Sequence, residues 1–148
     1  MVTNLIRHRR AMDTGDARSV LVTGGRGFIG RATVKVLRRA GYKVVSLDAK
    51  ASVIASEDED EIVCDLTEAK QVQQVFQARS ITRILHLAAI LPTAAQRAPE
   101  RATQVNVEAS LHLLEMARRF GVPRFVFGSS LSIYGTWPAD RDSRLRSR

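Results

Sequence analysis

The sequence is poor in cysteine, in long apolar stretches and in aromatic residues. Its 148 residues contain one cysteine, Cys64, so no internal disulfide can form and no cysteine cluster is available to bind a metal. No run approaches the roughly 18 consecutive apolar residues that a membrane-spanning helix needs. The first residues also lack the apolar core of a secretory signal. We therefore predict a cytoplasmic protein with no metal site and no membrane partner.

Basic residues are in excess, and many of them lie in two short terminal segments that have no periodicity. The 23 Lys and Arg exceed the 15 Asp and Glu, which gives a net charge of +8. Aromatic residues make up 5% of the chain and mostly lie in apolar runs, whereas a nucleic-acid-binding face interleaves them with clustered Lys and Arg. This argues against nucleic acid as a partner. We predict a flexible basic extension over residues 1–18 and an unstructured arginine-rich tail over residues 136–148.

Between these segments, short β-branched runs alternate with amphipathic helical stretches. Strands are predicted at residues 19–24, 43–48, 62–64, 83–88 and 124–128. Helices are predicted at residues 28–40, 67–79 and 100–120, and Thr67 is expected to cap the second of them. A loop with Pro92 and Pro99 precedes the third helix. The acidic run 57–61 is interpreted as a solvated loop. Because parallel crossovers are right-handed, the pattern predicts a doubly wound, Rossmann-type α/β sheet with strand order 3-2-1-4-5.

The helical stretches also predict which side chains face the sheet. For the first helix these are Ile29, Val34, Val36 and Leu37. For the last helix they are Val105, Leu113, Leu114 and Met116.

A glycine-rich turn, TGGRGFIG at residues 23–30, follows the first strand and opens the first helix. The first glycine permits a tight turn, the second lets the backbone approach a pyrophosphate, and the third lets helix and strand pack closely. The helix N-terminus then offers unpaired N–H groups to phosphates. A turn that binds nothing is the structural alternative. We predict a nucleotide-binding segment formed by Thr23, Gly24, Gly25, Arg26, Gly27, Phe28, Ile29 and Gly30.

Asp48 ends the second strand, where an acidic residue can accept a hydrogen bond from the adenosine ribose 2′-OH and repel a 2′-phosphate. A strand-end aspartate can also simply stabilise a turn. Arg26 and Lys50 favour the opposite cofactor, because both could approach a 2′-phosphate. We predict NAD as the cofactor, with NADP as the alternative.

Taken together, several ordered motifs resemble the extended short-chain dehydrogenase/reductase family, the NAD-dependent epimerases and dehydratases of nucleotide sugars. The resemblance covers residues 19–135, which we interpret as one NAD(P)-binding domain. Its motifs are TGGRGFIG, Asp48, Asp65-Leu66, HLAA at residues 86–89, Asn106 in VNVEAS, and SSLSIYG at residues 129–135.

The resemblance implies roles for further residues. Asp65 and Leu66 would meet the adenine, and Leu87, Ala88 and Ala89 would line the cofactor. Asn106 would support this site from the long helix, and Ser130 would hydrogen-bond the reacting oxygen of the substrate. Each residue also has a structural alternative. Asp65 could cap a helix, His86 could be a core histidine, Asn106 could bond locally, and Ser130 could belong to a turn.

The family's Tyr-x-x-x-Lys pair, in which the lysine lowers the tyrosine pKa so that it can act as a base, is missing. Position 46, four residues after Tyr42, is serine, and position 138, four residues after Tyr134, is proline. We therefore interpret the chain as a truncated amino-terminal part of such an oxidoreductase, which would meet a small-molecule substrate only when completed. The alternatives are a non-catalytic dinucleotide-binding module and an inactive fragment. An unprotected sheet edge predicts self-association.

Overall fold

The computed structural model describes residues 18–50 and 60–130. Most of the predicted N-terminal extension and all of the predicted arginine-rich tail lie outside the described residues. Five strands form one sheet: β1 (Ser19–Thr23), β2 (Lys43–Asp48), β3 (Glu61–Val63), β4 (Arg83–His86) and β5 (Arg124–Phe127). Every neighbouring pair is parallel and the order is β3-β2-β1-β4-β5. The predicted fold class and strand order are therefore confirmed.

Helices cover both faces of the sheet. They are α1 (Phe28–Arg39), α2 (Ala69–Ala78), α3 (Pro92–Arg97), α4 (Pro99–Thr103) and α5 (Ala109–Arg119). One π-helical turn, Gln104–Glu108, joins α4 to α5. Within residues 18–50 and 60–130, none of these helices has the length and apolar character needed to cross a membrane.

The central strand β1 is buried on both faces, and its alternate side chains enter two different cores. Val20 and Val22 pack with Val34 of α1 on one side of the sheet. Leu21 packs on the other side, in the larger core that includes Leu113 of α5. Burying each such side chain stabilises the fold by roughly 1.5–3 kcal/mol. This two-sided packing explains why the strand is apolar without alternation.

The predicted apolar faces of the helices are partly wrong. Val34 is buried, but Ile29 and Val36 are 65% and 63% exposed. The contact of α1 with the sheet runs along Gly30, Val34 and the partly buried Leu37, as predicted for Val34 and Leu37, and Ile29 and Val36 lie off this line. The buried line along α5 is similarly narrow, so Leu113 is buried and the neighbouring Leu114 is 45% exposed.

Two local predictions between the strands are also corrected. The segment with Pro92 and Pro99 is not a simple loop, because each proline begins a short helix, where its missing N–H has no cost. Thr67 does not cap α2, which begins after Glu68. Instead the Thr67 N–H donates to Asp65 Oδ1 over 3.0 Å, which forms an Asx turn, and the Thr67 hydroxyl donates to the same oxygen over 2.8 Å.

The acidic run 57–61 is not wholly a solvated loop. Asp60 lies 3.3 Å from Arg79 in an ion pair, and Glu61 is the first residue of β3. The rest of the run lies outside the described residues.

Candidate functional site

The glycine turn brings the end of β1 into close contact with the end of β4. Gly24 has a φ of +68°, which favours glycine, and a Cβ there would lie 2.8 Å from the Ala88 backbone nitrogen. A Cβ on Gly30 would lie 2.0 Å from the Gly24 carbonyl oxygen. Both glycines are therefore needed for the turn itself, whatever the turn binds.

Gly27 differs from these two residues because its backbone is exposed and an added Cβ there would be crowded but not blocked. Among the described residues, a Cβ on Gly27 would lie near one atom, the Gly24 carbonyl oxygen, at a tight 3.2 Å, and the φ of −65° is ordinary. Gly27 is also the N-cap of α1 and, having no side chain, makes no capping hydrogen bond. The first N–H groups of a helix have no intrahelical partner. The structure thus presents helix N–H groups and bare backbone at one place.

A cavity of about 520 Å³ begins at this place and runs across the carboxyl ends of the strands. This volume lies within the range of small-molecule sites. Open α/β sheets bind ligands at this end, where the strand order reverses between β1 and β4. The cavity is lined by Gly24, Gly27, Leu47, Asp48, Ala49, Lys50, Cys64, Asp65, Leu66, Leu87, Ala88, Ala89, Ile90, Leu91, Ala94, Ala98, Arg101 and Val105.

Asp48 lies at the end of β2 with its carboxylate held by two backbone groups. The Arg26 N–H donates to Oδ2 and the Lys50 N–H donates to Oδ1, each over 3.1 Å. A carboxylate offers about four lone-pair sites. Asp48 is therefore fixed in orientation and keeps acceptor capacity toward the cavity.

The Arg26 side chain is held by two groups other than Asp48. Its Nη1 donates to the Lys50 carbonyl, and its Nη2 lies 3.6 Å from Glu61 Oε2. The Arg26 side chain is 13% exposed and does not line the cavity. Sequence reasoning missed Glu61, because it read the residue as part of an acidic loop.

Asp65 follows β3 at the far end of the cavity and binds an arginine from another element. Its Oδ1 accepts hydrogen bonds from the N–H and the hydroxyl of Thr67, and its Oδ2 lies 2.5 Å from Arg101 Nη2. Burial tends to raise the pKa of Asp65, but the hydrogen bonds from Thr67 and then from Arg101 bring the pKa below its ordinary value. Asp65 is thus a charged group at the cavity wall.

The neighbouring Cys64 also lines the cavity. Burial, and then the charge of Asp65, raise the pKa of its thiol to about 11. Within residues 18–50 and 60–130 there is no group of three or more His, Cys, Asp or Glu that could hold a metal ion.

A buried hydrogen-bond chain fixes the wall formed by the end of β4. Thr23 Oγ1 accepts the N–H groups of Leu87 and Ala88, each over 3.2 Å, so its hydroxyl donates to His86 Nδ1 over 2.6 Å. His86 Nε2 must then carry the proton and donate to Ser110 Oγ over 2.8 Å. This neutral tautomer makes His86 a satisfied core histidine, one of the two interpretations left open.

Asn106 holds the next part of the wall. The Ile90 N–H donates to Asn106 Oδ1 over 2.7 Å, and Asn106 Nδ2 donates to the Ile90 carbonyl over 3.0 Å. Asn106 lies in the π-helical turn, whose wider coil is a frequent feature of functional sites. The residue supports the cavity from behind and does not line it.

The structure brings most of the predicted cofactor residues to one cavity but not all of them. Eight line it: Gly24, Gly27, Asp48, Asp65, Leu66, Leu87, Ala88 and Ala89. Five lie behind it: Thr23, Gly25, Arg26, Gly30 and Asn106.

The remaining three predicted residues are exposed. Phe28 and Ile29 begin α1 with side chains that are 96% and 65% exposed, and neither residue lines the cavity. Ser130 is exposed beyond β5, outside the cavity lining.

Sequence reasoning missed the wall that α3 and α4 contribute. Ala94 and Arg101 line the cavity from these two helices, and Leu91 and Ala98 line it from their N-cap positions. The two prolines at helix starts were the available signal, because proline favours the first position of a helix.

The fold and the cavity together define a class of protein. A doubly wound parallel sheet, a glycine turn leading into α1, and a carboxylate at the end of β2 constitute a Rossmann-type nucleotide-binding domain.

Comparison with known proteins identifies the family. The model of the NAD dependent epimerase/dehydratase family matches residues 20–147, so the chain belongs to this family. It is 33% identical over 135 residues to a UDP-glucose 4-epimerase of Caenorhabditis elegans, covering 78% of this chain and 39% of the relative. It is 35% identical over 128 residues to that of Erwinia amylovora, covering 79% and 38%.

Solved structures agree with the sequence comparison. The Thermus thermophilus UDP-glucose 4-epimerase in complex with NAD is 32% identical with a TM-score of 0.71, covering 82% of this chain and 40% of that one. A short-chain dehydrogenase/reductase superfamily protein from Agrobacterium tumefaciens with bound NAD is 35% identical with a TM-score of 0.69, covering 79% and 34%. The chain therefore spans roughly two fifths or less of the length of these relatives.

Proposed function

We propose that this chain binds NAD in the cavity and forms the cofactor-binding part of an epimerase/dehydratase-type oxidoreductase. The observation that carries the proposal is the exposed backbone of Gly27 at the N-terminus of α1, which lines the same cavity as Asp48. A pyrophosphate needs close backbone approach and helix N–H groups, and both are present at this place.

The cavity walls support one orientation of the cofactor. The adenosine ribose would lie at Asp48, whose fixed carboxylate accepts hydrogen bonds from hydroxyl groups. The adenine would lie between Asp65 and Leu66, and the remaining half of the dinucleotide would extend along Leu87 and Ala88. The ion pair between Arg26 and Glu61 favours NAD over NADP, because it neutralises a guanidinium that could otherwise bind a 2′-phosphate.

For the whole protein we propose a nucleotide sugar, or a similar carbinol, as the substrate. Bound NAD would supply a hydride acceptor. Ser130, at the carboxyl end of β5, would hold the reacting hydroxyl by a hydrogen bond. The curated relatives named above, all UDP-glucose 4-epimerases, support this substrate class.

The 148 residues contain no Tyr-x-x-x-Lys pair to remove the hydroxyl proton. Loss of a general base costs about 10²–10⁴-fold in rate. We therefore propose that this chain binds NAD without turnover. A non-catalytic dinucleotide-binding module has the same binding behaviour, and an inactive fragment would bind nothing.

A titration and an activity assay test these proposals. The purified chain is titrated with NAD⁺ by isothermal calorimetry and then incubated with UDP-glucose, with UDP-galactose measured by chromatography. Saturable NAD⁺ binding without UDP-galactose is the expected result. Absence of NAD⁺ binding would contradict the proposed function, and turnover would contradict its non-catalytic part.

Two further properties stay predictions. One is the cytoplasmic location. The other is self-association through β5, which pairs only with β4 among the described residues and exposes Val126 and Phe127 by 56% and 58%. Sedimentation velocity showing a stable monomer at all concentrations would contradict the second.

A further inference from the structure

Arg26 lies inside the glycine turn, and its guanidinium forms an ion pair with Glu61 of β3. The Arg26 guanidinium reaches past the end of β2, where Nη1 donates to the Lys50 carbonyl. Its Nη2 lies 3.6 Å from Glu61 Oε2. Both side chains are largely buried, with 13% and 23% exposure, so solvent screens this pair less than it would screen a surface pair.

This pair lies beside the carboxylate that would meet the adenosine ribose. The Arg26 N–H donates to Asp48 Oδ2, so Asp48 and Arg26 belong to the same turn. Strand β3 runs parallel to β2, with Glu61 opposite Ser46 and Val63 opposite Asp48. Glu61 is thereby placed next to the turn although it lies 35 positions after Arg26 in the sequence.

The local charges balance at this end of the cavity. Arg26 and Lys50 carry two positive charges, and Asp48 and Glu61 carry two negative charges. A 2′-phosphate brings about two further negative charges and needs donors that are not already engaged. Lys50 is exposed, and it contacts Asp48 and Arg26 through its backbone N–H and carbonyl.

We propose that Glu61 is a specificity-determining residue, which selects NAD over NADP by holding Arg26 away from the position of a 2′-phosphate. This inference rests on the proposed function, because it concerns the same cavity. Without the Glu61 charge, the local balance becomes +1 and the guanidinium can turn to a phosphate. Arg26 would then favour NADP, as sequence reasoning allowed.

The test is Glu61→Gln, which removes the charge and keeps the size of the side chain. We measure dissociation constants of NAD⁺ and NADP⁺ by calorimetry with the purified chain. The ratio of the NADP⁺ constant to the NAD⁺ constant is expected to fall about fivefold, since one additional charge-assisted hydrogen bond to phosphate is of this order. Glu68→Gln, an exposed position at the start of α2, changes net charge equally and is expected to leave the ratio unchanged.

A double variant identifies the group that binds the phosphate. Arg26→Gln in the Glu61→Gln background is expected to abolish the fivefold gain, whereas Arg26→Gln alone has a smaller effect on the ratio. If Arg26→Gln weakens NADP⁺ binding equally in both backgrounds, the guanidinium is already available and the inference is wrong. If Glu61→Gln fails to fold, Arg26→Gln alone still tests the inference, because a fivefold or larger loss of NADP⁺ affinity relative to NAD⁺ in this single variant would show that the guanidinium is already available.

The two proposals fail in different ways. If wild type binds neither dinucleotide, the proposed function is wrong and the inference falls with it. If wild type binds NAD⁺ and Glu61→Gln has an unchanged ratio, or the Glu68→Gln control changes it as much, only the inference is overturned.

Discussion

Two glycines of the same turn should respond to alanine differently, because the backbone blocks a methyl group at Gly30 and only crowds it at Gly27. A Cβ on Gly30 would lie 2.0 Å from the Gly24 carbonyl oxygen and 2.8 Å from the Gly25 Cα, both backbone atoms that cannot rotate away. A Cβ on Gly27 would meet only the Gly24 oxygen, at 3.2 Å. The first substitution disrupts the turn, and the second mainly changes the cavity.

These contacts set the expected magnitudes. Gly30→Ala should lower the free energy of unfolding by about 2–3 kcal/mol, the upper part of the usual range for overpacking. Gly27→Ala should cost no more than about 1 kcal/mol, the difference between alanine and glycine at a helix N-cap, because the Gly24 oxygen at 3.2 Å needs to shift only slightly. Its methyl group would nonetheless occupy the closest approach to the pyrophosphate. The NAD⁺ dissociation constant should therefore rise about tenfold or more, which corresponds to about 1.4 kcal/mol.

Urea denaturation followed by circular dichroism measures the stability of each variant, and calorimetric titration measures NAD⁺ binding. Gly27→Ala is its own control for folding, since its unfolding transition should nearly match that of wild type. Two results would refute the reasoning: a Gly27→Ala protein that binds NAD⁺ as tightly as wild type, or a Gly30→Ala protein of unchanged stability.

Two titratable groups give further predictions. Burial lowers the pKa of His86 in the folded state below its ordinary 6.5, so the unfolded state binds more protons below that pH. The contribution of His86 to the free energy of unfolding is then fully present above pH 6.5 and is lost as the pH falls, by at most about 1.4 kcal/mol per pH unit. Urea denaturation at pH 7.5 and at pH 5.5 should show a smaller loss of stability for His86→Gln than for wild type. An equal loss in the two proteins would contradict this. The Cys64 thiol, with its pKa raised to about 11, should react with iodoacetamide at pH 8 roughly a hundredfold more slowly in the folded chain than in urea. Mass spectrometry measures the rate of alkylation of Cys64, which is the one cysteine of the chain. Equal rates in the folded and the urea-unfolded chain would show that this thiol is not buried.

The strands, the glycine turn and the strand order could be predicted from the sequence. Apolar periodicity and glycine spacing act over a few residues and so reveal the strands and the turn. Right-handed crossovers allow few topologies, and this narrows the choice of strand order. Asp48 could be predicted for the same reason, since the end of a strand is visible in the pattern. Periodicity alone could not show which part of an apolar face touches the sheet, so the exposure of Val36 was not predicted.

The contacts that complete the candidate site were decided by tertiary structure. Arg101 reaches Asp65 across 36 positions, and Asn106 holds Ile90 across 16 positions. Glu61 meets Arg26 only because β3 pairs with β2. No local pattern encodes such pairs, because their members lie on different elements whose ends meet only when the sheet forms. Residue spacing thus specifies a nucleotide-binding fold, and the packing of distant segments specifies which charges remain available to the ligand.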